Sequence, residues 1–406
     1  MSASSATTGE VCCAHRRVIH SIHQRACIMR FIRGRLARLI AVGCVALLIA
    51  SCATVKPPAQ GVGEAIDWKQ IEGWAQDRHA QAWPALLRSC DALGAKARWR
   101  ELCRAARAMS GASAASTIDD EHARRFFERW FTPHRVHGRD GRRDGLITGY
   151  YEPLLHGSFT RDARYRHPLY APPATLLSVE LGALHPALRS KTVRGRLDGN
   201  KIVPFYSRAQ IDSDRSLLAG DELIWIDDRD AVFFLHIQGS GRVRLPDGRI
   251  IGVGYANQNG HPYHAIGRVL LARGELAREE VSLFTIRRWL RENPRRAEAL
   301  LFRNPSYVFF TLRDNAAGGP IGSLNVALTP QRSLAVDPKL IELGAPVWLA
   351  THHPFNPAQP YRRLMLAQDT GGAIRGALRA DLFWGHGAQA ERAAGVMRQR
   401  GKRIVL

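Results

Sequence analysis

The most regular pattern of apolar and polar positions lies in residues 119–131 and predicts an amphipathic helix. Apolar side chains recur there at intervals of three and four residues and make one stripe: Ala123, Phe126, Phe127, Trp130 and Phe131. Acidic residues at the start of the segment suit the positive end of a helix. The pattern is helical from about residue 67 onwards, so we expect a helical N-terminal part with its aromatic stripe in the core.

From residue 146 the pattern changes to short apolar runs bounded by glycine and proline, which is typical of strands. The runs that predict strands are 146–153, 223–226, 231–237, 242–245, 250–254, 347–350 and 364–367. Pro246 and Gly248 predict the tight turn of a hairpin between two of these runs. A helical period returns within 266–299. Taken alone, the pattern predicts an α+β protein, mainly β, with two strand-rich parts.

The first 51 residues predict a signal peptide. Four arginines, Arg30, Arg33, Arg35 and Arg38, precede the apolar run 39–50, which is too short to span a bilayer. Met29 stands where such a signal would begin, so we expect the true start there. The end of the run is similar to a bacterial lipoprotein box, in which Cys52 would be lipidated. The alternative is a hydrophobic signal that merely contains a cysteine.

The chain is strongly basic, with a formal net charge of +22, which suits a polyanionic partner. No zinc finger, basic zipper or aromatic RNA-binding signature accompanies the charge, so we expect no nucleic-acid partner. Cys90 and Cys103 are the cysteines that follow Cys52. They could form a disulfide or remain two buried thiols, and no cysteine–histidine spacing predicts a metal site.

Two aspartates near the C-terminus are the best candidates for chemistry. Asp369 follows the apolar run 364–367 and precedes Thr370 and two glycines, which permit an unusual backbone. Asp381 precedes the apolar residues 382–384, and this neighbourhood should raise its pKa and suit it to general acid catalysis. A third aspartate, Asp337, precedes a proline upstream of both.

These three aspartates and their flanking residues resemble the three-aspartate domain of the membrane-bound lytic murein transglycosylase A family. The resemblance continues at residues 149–153 and 236–242 and extends over roughly residues 70–406. It implies a double-psi β-barrel with a helical N-terminal part, interrupted by an inserted smaller β-barrel, with a groove between them. The expected division is a signal region 1–51, a lipidated cysteine and tether 52–66, helices and first barrel strands 67–156, an inserted β domain 157–287 and the remaining barrel 288–406.

The resemblance also implies the reaction. Such enzymes cleave the β-1,4 bond between N-acetylmuramic acid and N-acetylglucosamine without water and leave a 1,6-anhydro end. Asp381 would act first as acid and then as base, with Asp369 beside it, and no cofactor or metal would be needed. The expected substrate-binding residues are Tyr151, Glu152, Gln238, Gly239, Ser240, Gly241 and Asp337.

Some of these assignments carry qualifications from the residues themselves. Because side chains alternate along a strand, only one of Tyr150 and Tyr151 need face a groove. Glu152 receives no catalytic role, and Asp337 is expected to be more structural than catalytic. Residues 238–241 are expected at the end of a buried strand, where small residues admit a ligand close to the backbone.

Two alternatives remain open at the level of the sequence: a glycan-binding module without activity, and a murein hydrolase that uses water on the same fold. The resemblance favours an exo-acting enzyme, while the residues leave exo and endo cleavage undecided. The expected location is the periplasmic face of the outer membrane, because Ala53 is not the aspartate that marks inner-membrane retention. The expected partners are peptidoglycan strands, the membrane through the lipid on Cys52, and other wall-synthesis or wall-degrading proteins.

Overall fold

The core of the fold is built from strands that lie both before and after the middle of the sequence. The computed structural model describes residues 60–110, 118–188, 192–313 and 318–406. The strands are β1 (Gly61–Ala65), β2 (His134–His137), β3 (Asp144–Glu152), β4 (Leu154–Ser158), β5 (His167–Tyr170), β6 (Leu177–Val179), β7 (Val193–Asp198), β8 (Lys201–Pro204), β9 (Glu222–Ile226), β10 (Ser240–Arg244), β11 (Ile250–Gln258), β12 (Val308–Arg313), β13 (Ser333–Ala335), β14 (Pro346–His353), β15 (Asn356–Asp369), β16 (Ala380–His386) and β17 (Arg398–Val405). The helices are α1 (Trp83–Leu93), α2 (Ala97–Met109), α3 (Asp120–Trp130), α4 (Arg208–Ser213), α5 (Arg229–Gln238), α6 (Ile266–Ala272), α7 (Leu283–Glu292), α8 (Pro294–Leu301) and α9 (Gly387–Val396).

Six strands close into a barrel. Their order is β17-β14-β15-β13-β16-β3, and β3 pairs with β17 to complete the ring. Alternate apolar side chains fill the interior, including Ile147, Leu334, Val347, Met365 and Leu382. Since β3 precedes the other five strands by more than 150 residues in the chain, the barrel is split in sequence as expected. The α+β class is confirmed, and the double-psi connectivity stays a prediction.

A second sheet lies between β3 and β13 in the chain. Its order is β12-β11-β10-β4-β9-β5, and a small sheet of β6, β7 and β8 accompanies it. The second sheet begins at Leu154 and ends at Arg313, whereas the expected insertion covers 157–287. The strand β12 falls in the range 288–406 that we expected to form the remaining barrel, but it pairs with β11 of the second sheet, with Phe310 opposite Tyr255.

The second sheet is open in the described pairings, although we expected a closed smaller barrel. Side chains fill the space between its two edge strands. Tyr170 at the end of β5 packs in one cluster with Tyr307 and Phe309 beside and within β12, and Phe205 and Ile211 join this cluster. Because these bulky rings occupy the gap, the edges meet through packing instead of a hydrogen-bonded ladder.

Residues 231–237, predicted as a strand, lie in the helix α5, so that prediction was wrong. The carboxylate of Asp228 accepts hydrogen bonds from the backbone N–H groups of Asp230 and Ala231 and caps the helix. Gly239 ends it with a backbone φ of +80°. Buried residues occupy 232–236 without interruption, which hides the helical period. Gln238 therefore ends a helix, and Ser240 begins the strand β10.

The helical part packs on the barrel as the aromatic stripe predicted. Asp119 caps α3, and its side chain accepts from the N–H of His122 at 2.8 Å. Phe126 and Phe127 are buried in one cluster with Trp348 of the barrel. A disulfide between Cys90 and Cys103 joins α1 to α2, which settles the alternative that the sequence left open.

The predicted hairpin is confirmed, with Arg244 of β10 paired to Ile250 of β11 and Gly248 at a φ of +86°. The signal region, Cys52 and the tether up to residue 59 lie outside the described residues. Among the described helices, none has the length and apolar character needed to cross a membrane.

Candidate active site

Strand register places four side chains of the barrel in one row. Asp381 of β16 lies opposite Thr148 of β3 on one side and opposite Ala335 of β13 on the other. Ala335 also lies opposite Asp369 of β15. Residues paired in register point to the same face of a sheet, and neighbouring strands are about 4.8 Å apart. The two carboxyl groups therefore share one face, with only the small Ala335 between them.

This row lies on the outer face of the barrel. Leu334 and Leu382 point into the barrel interior, so their neighbours Ala335 and Asp381 point away from it. A small cluster of buried side chains covers the outer face beside Ala335: Tyr150, Leu328, Ile374 and Phe383. Asp381 consequently lies against apolar surface, as the sequence predicted, although Phe383 alone of residues 382–384 shares its face.

The environment of Asp381 shifts its pKa towards neutrality. Burial raises the pKa of Asp381 to about 6, and the negative charge of Asp369 adds to the effect. Arg379 and the hydroxyl of Thr148 act in the opposite direction. The Thr148 hydroxyl donates to the Oδ1 atom of Asp381 at 2.5 Å. Near neutral pH the group can therefore both give and take a proton.

Asp369 is surrounded by hydrogen-bond donors. The Tyr150 hydroxyl donates to its Oδ2 atom at 2.8 Å, and the backbone N–H and hydroxyl of Ser323 donate to its Oδ1 atom at 3.0 and 3.1 Å. Burial raises the pKa of Asp369, while these donors favour its ionised form. Both of its oxygens are thus engaged as acceptors, unlike those of Asp381.

The second sheet also contributes to this region. Tyr263 lies between β11 and α6, and its pKa is raised by burial and further by the charge of Asp381. A side chain from the inserted part therefore lies within electrostatic range of Asp381.

Three predicted binding residues lie apart from the row. Tyr151 points into the barrel core, and its hydroxyl donates to Glu391 at 3.0 Å. Glu152 is 1% exposed and lies 2.7 Å from Arg242 and 3.5 Å from Arg313. The carboxylate of Asp337 accepts from the backbone N–H groups of Lys339 and Gly376 at 3.2 and 2.8 Å. Each of these side chains is engaged within the protein.

The segment 238–241 lies where α5 meets β3. The Oε1 atom of Gln238 accepts from the backbone N–H of Tyr151 at 3.0 Å. Gly239 has open space where a Cβ would stand, while a Cβ on Gly241 would lie 2.5 Å from Leu235. Ser240 is 8% exposed. The segment thus combines a polar side chain beside β3 with backbone that a ligand can approach at Gly239.

Sequence reasoning did not assign Thr148, Tyr150, Ser323, Arg379 or Tyr263 to the site. The alternation along β3 is the signal that could have found Thr148 and Tyr150, since both lie on the face opposite the buried Ile147. Ser323, Arg379 and Tyr263 lie in loops, which carry no periodicity. In the ranges that the structure describes, no three His, Cys, Asp or Glu side chains are grouped closely enough to hold a metal ion.

Comparisons with known proteins agree on one family. Residues 146–311 match the model of the MltA specific insert domain, and residues 332–406 match the 3D domain. The membrane-bound lytic murein transglycosylase A of Escherichia coli (strain K12) is 33% identical over 281 residues, which cover 67% of this chain and 68% of the relative.

Two solved structures extend the likeness to almost their whole length. The crystal structure of MltA from Neisseria gonorrhoeae in its monoclinic form is 33% identical with a TM-score of 0.71, covering 87% of this chain and 96% of that chain. A lytic transglycosylase of Burkholderia pseudomallei is 41% identical with a TM-score of 0.56, covering 86% and 95%.

Proposed function

Because this chain belongs to the membrane-bound lytic murein transglycosylase A family, we propose that it is a lytic transglycosylase that cleaves the glycan strands of peptidoglycan. The bond cleaved joins N-acetylmuramic acid to N-acetylglucosamine, and the product carries a 1,6-anhydro end. The observation that supports this most directly is the row of two aspartates on one barrel face, one with a pKa of about 6 and one held by donors.

Asp381 serves as acid and then as base. In its protonated form it gives a proton to the glycosidic oxygen as the bond to the anomeric carbon breaks. The resulting carboxylate then takes the proton of the C6 hydroxyl, whose oxygen attacks the same anomeric carbon. An internal nucleophile has a high effective concentration, so no second carboxylate is needed to activate water.

Asp369 adjusts the pKa of Asp381. Its charge raises the pKa of Asp381, and the donors Tyr150 and Ser323 keep that charge in place. A negative group on the same face would also favour the positive charge that develops on the sugar ring. Asp369 therefore acts electrostatically, without exchanging a proton with the substrate.

Gln238, Gly239, Ser240 and Gly241 contact the glycan from the side of the inserted part. Tyr151, Glu152 and Asp337 support the site by the contacts described above. The barrel has double-psi connectivity, and the strand pairing favours an insertion over 154–313 in place of 157–287. The N-terminal segment is a signal peptide, and a lipid on Cys52 holds the protein at the periplasmic face of the outer membrane.

The function is tested by mass spectrometry of the products released from purified peptidoglycan. We expect muropeptides one water lighter than reducing products, released mainly from strand ends. Asp381→Asn should lower the rate by at least about 100-fold, because one general acid contributes that much or more. Asp369→Asn should lower it less.

A matched control is Asp247→Asn, which removes a carboxylate from an exposed turn beyond the site. Products with full-weight reducing ends would assign a hydrolase to the same fold. If both the unchanged protein and Asp381→Asn bind peptidoglycan but release no muropeptides, the protein is a binding module and the proposal is wrong.

A further inference from the structure

Thr148 stands between a cation and the Asp381 carboxyl. One terminal nitrogen of the Arg379 guanidinium donates to the Thr148 hydroxyl oxygen at 2.7 Å. The same hydroxyl oxygen lies 2.5 Å from the Oδ1 atom of Asp381. The other terminal nitrogen of Arg379 donates to the backbone carbonyl groups of Leu146 and Ala380, which fixes the guanidinium across β3 and β16.

These contacts determine the direction of the hydrogen bond between Thr148 and Asp381. A guanidinium has only donors, so the Thr148 oxygen must accept from Arg379. The hydroxyl hydrogen of Thr148 is then available for another acceptor, and the Oδ1 atom of Asp381 lies at hydrogen-bonding distance. Oδ1 consequently accepts a hydrogen bond in both the ionised and the protonated state of the carboxyl.

We propose that Thr148, oriented by Arg379, is a positioning residue that occupies Oδ1 of Asp381 and leaves Oδ2 as the atom that carries the catalytic proton. A carboxylic acid with both oxygens free could carry its proton on either, and only one of the two orientations faces the scissile oxygen. Reserving one oxygen therefore removes the unproductive state before substrate binds. This inference rests on the proposed acid and base role of Asp381.

Other groups also act on the charge of Asp381. From β15, Asp369 raises its pKa, while Arg379 beside it lowers it. Tyr150 of β3 and Tyr263 of the loop after β11 lie within electrostatic range of its charge. Both have raised pKa values, so their hydroxyl groups stay protonated near neutral pH. Removing the Thr148 hydroxyl leaves these four groups in place, but it breaks the hydrogen bond from Arg379 as well as the one to Asp381, so a variant of Arg379 is needed beside it.

The test compares Thr148→Val, which keeps the shape and loses the hydroxyl, with Thr148→Ser, which keeps the hydroxyl. Loss of a donor to the ionised form raises the pKa of Asp381, so the alkaline limb of the rate at limiting peptidoglycan should move upward by about one pH unit. The rate on the plateau should fall about tenfold, the factor that one hydrogen bond of ordinary strength represents. Thr148→Ser should keep both properties.

Arg379→Met provides a second variant, since it frees the Thr148 hydroxyl to turn away. Both changes disrupt the same hydrogen bond to Asp381. The plateau rate of the double variant should therefore be much higher than the rate obtained by multiplying the fold losses of the two single variants. If the two fold losses simply multiply, the proposed positioning of Thr148 by Arg379 is wrong. It is also wrong if Thr148→Ser is as impaired as Thr148→Val.

A measurement independent of activity separates this inference from the proposed function. Carbon-13 NMR of protein labelled at aspartate carboxyls reports the Asp381 titration, with the signal assigned by its loss in Asp381→Asn. An unchanged Asp381 titration in Thr148→Val would overturn the positioning role of Thr148 even if the enzyme is a lytic transglycosylase. Full activity of Asp381→Asn would instead overturn the acid and base role of Asp381 on which this inference rests, while an upward shift in Thr148→Val would still support the hydrogen bond.

Discussion

At neutral pH the carboxyl group of Asp381 works against the stability of the folded protein. Its pKa is raised by burial to about 6, whereas an aspartate in an unfolded chain has a pKa of about 3.9. Between these values the folded protein binds more protons than the unfolded chain. The free energy of unfolding therefore falls as pH rises through this window and stays lower above it. Such a loss is common at sites selected for activity.

Asp381→Asn should consequently stabilise the protein at pH 7 while it abolishes activity. The gain comes from removing a poorly solvated charge and should be on the order of 1–3 kcal/mol. It should shrink towards zero near pH 4, where the native carboxyl is already protonated. Urea unfolding at both pH values measures the difference. Asp247→Asn is the control, because its exposed carboxyl has a pKa lowered by Arg249 and should give no gain at pH 7.

The residues of the site differ in how far the sequence reveals them. The sequence singles out Asp369 and Asp381 as candidates because glycines follow the first, apolar residues follow the second, and both motifs resemble the three-aspartate domain. Alternation along β3 places Thr148 on one face with Tyr150, but it does not predict the contact with Asp381. That contact depends on the pairing of β3 with β16, which are more than 220 residues apart in the chain. The choice between Tyr150 and Tyr151 needed the knowledge of which face of β3 lies inside the barrel.

At the scale of elements, the helix α5 shows where periodicity fails. A helix buried on most sides has apolar residues all round, so its sequence looks like that of a buried strand. The signals that identify it are local: Asp228 at its N-terminus and Gly239 after its end. This distinction matters for function because the helix ends at Gln238, which contacts the backbone of β3.

The cap of α5 should therefore affect both stability and substrate binding. Asp228→Ala removes the acceptor for two backbone N–H groups and should lower the free energy of unfolding by about 1 kcal/mol. Fraying towards Gln238 should also raise the peptidoglycan concentration needed for half-maximal rate. Asp119→Ala is a matched control, because it removes the cap of α3 in the helical part.

Urea unfolding and rates at several peptidoglycan concentrations measure the two effects. We expect similar losses of stability in both variants and a change in apparent affinity in Asp228→Ala alone. Equal affinities in the two variants would show that the position of Gln238 does not depend on the cap of its helix.

At the scale of the whole molecule, the sequence indicates two strand-rich parts but not the point where one ends. The strand β12 follows the last helix of the inserted part directly and reads as the beginning of a new β segment. Its partner β11 lies about 50 residues earlier, and only this pairing assigns it to the second sheet. The hydrophobic pattern of a strand indicates which of its faces is buried. It does not identify a partner strand that is distant in the chain.

A buried ion pair joins the helical part to the barrel. The guanidinium of Arg332 is 2.7 and 3.0 Å from the two carboxylate oxygens of Asp77, and it also donates to the carbonyl group of Leu364 at 3.0 Å. Asp77 in turn accepts from the backbone N–H of Leu364 at 2.8 Å. Both side chains of the pair are almost fully buried. The pair therefore holds β15, which leads to Asp369, against the segment before α1.

Breaking this pair on one side should destabilise the whole molecule. Arg332→Met or Asp77→Leu leaves an uncompensated charge in the interior, which should cost about 3–5 kcal/mol in urea unfolding. The double variant buries no charge and should be more stable than either single variant. It should unfold in one transition, because the aromatic cluster of Phe127 and Trp348 still joins the two parts. If the two losses simply add, the pair contributes through packing, and the charges of Asp77 and Arg332 do not fix the helical part to the barrel.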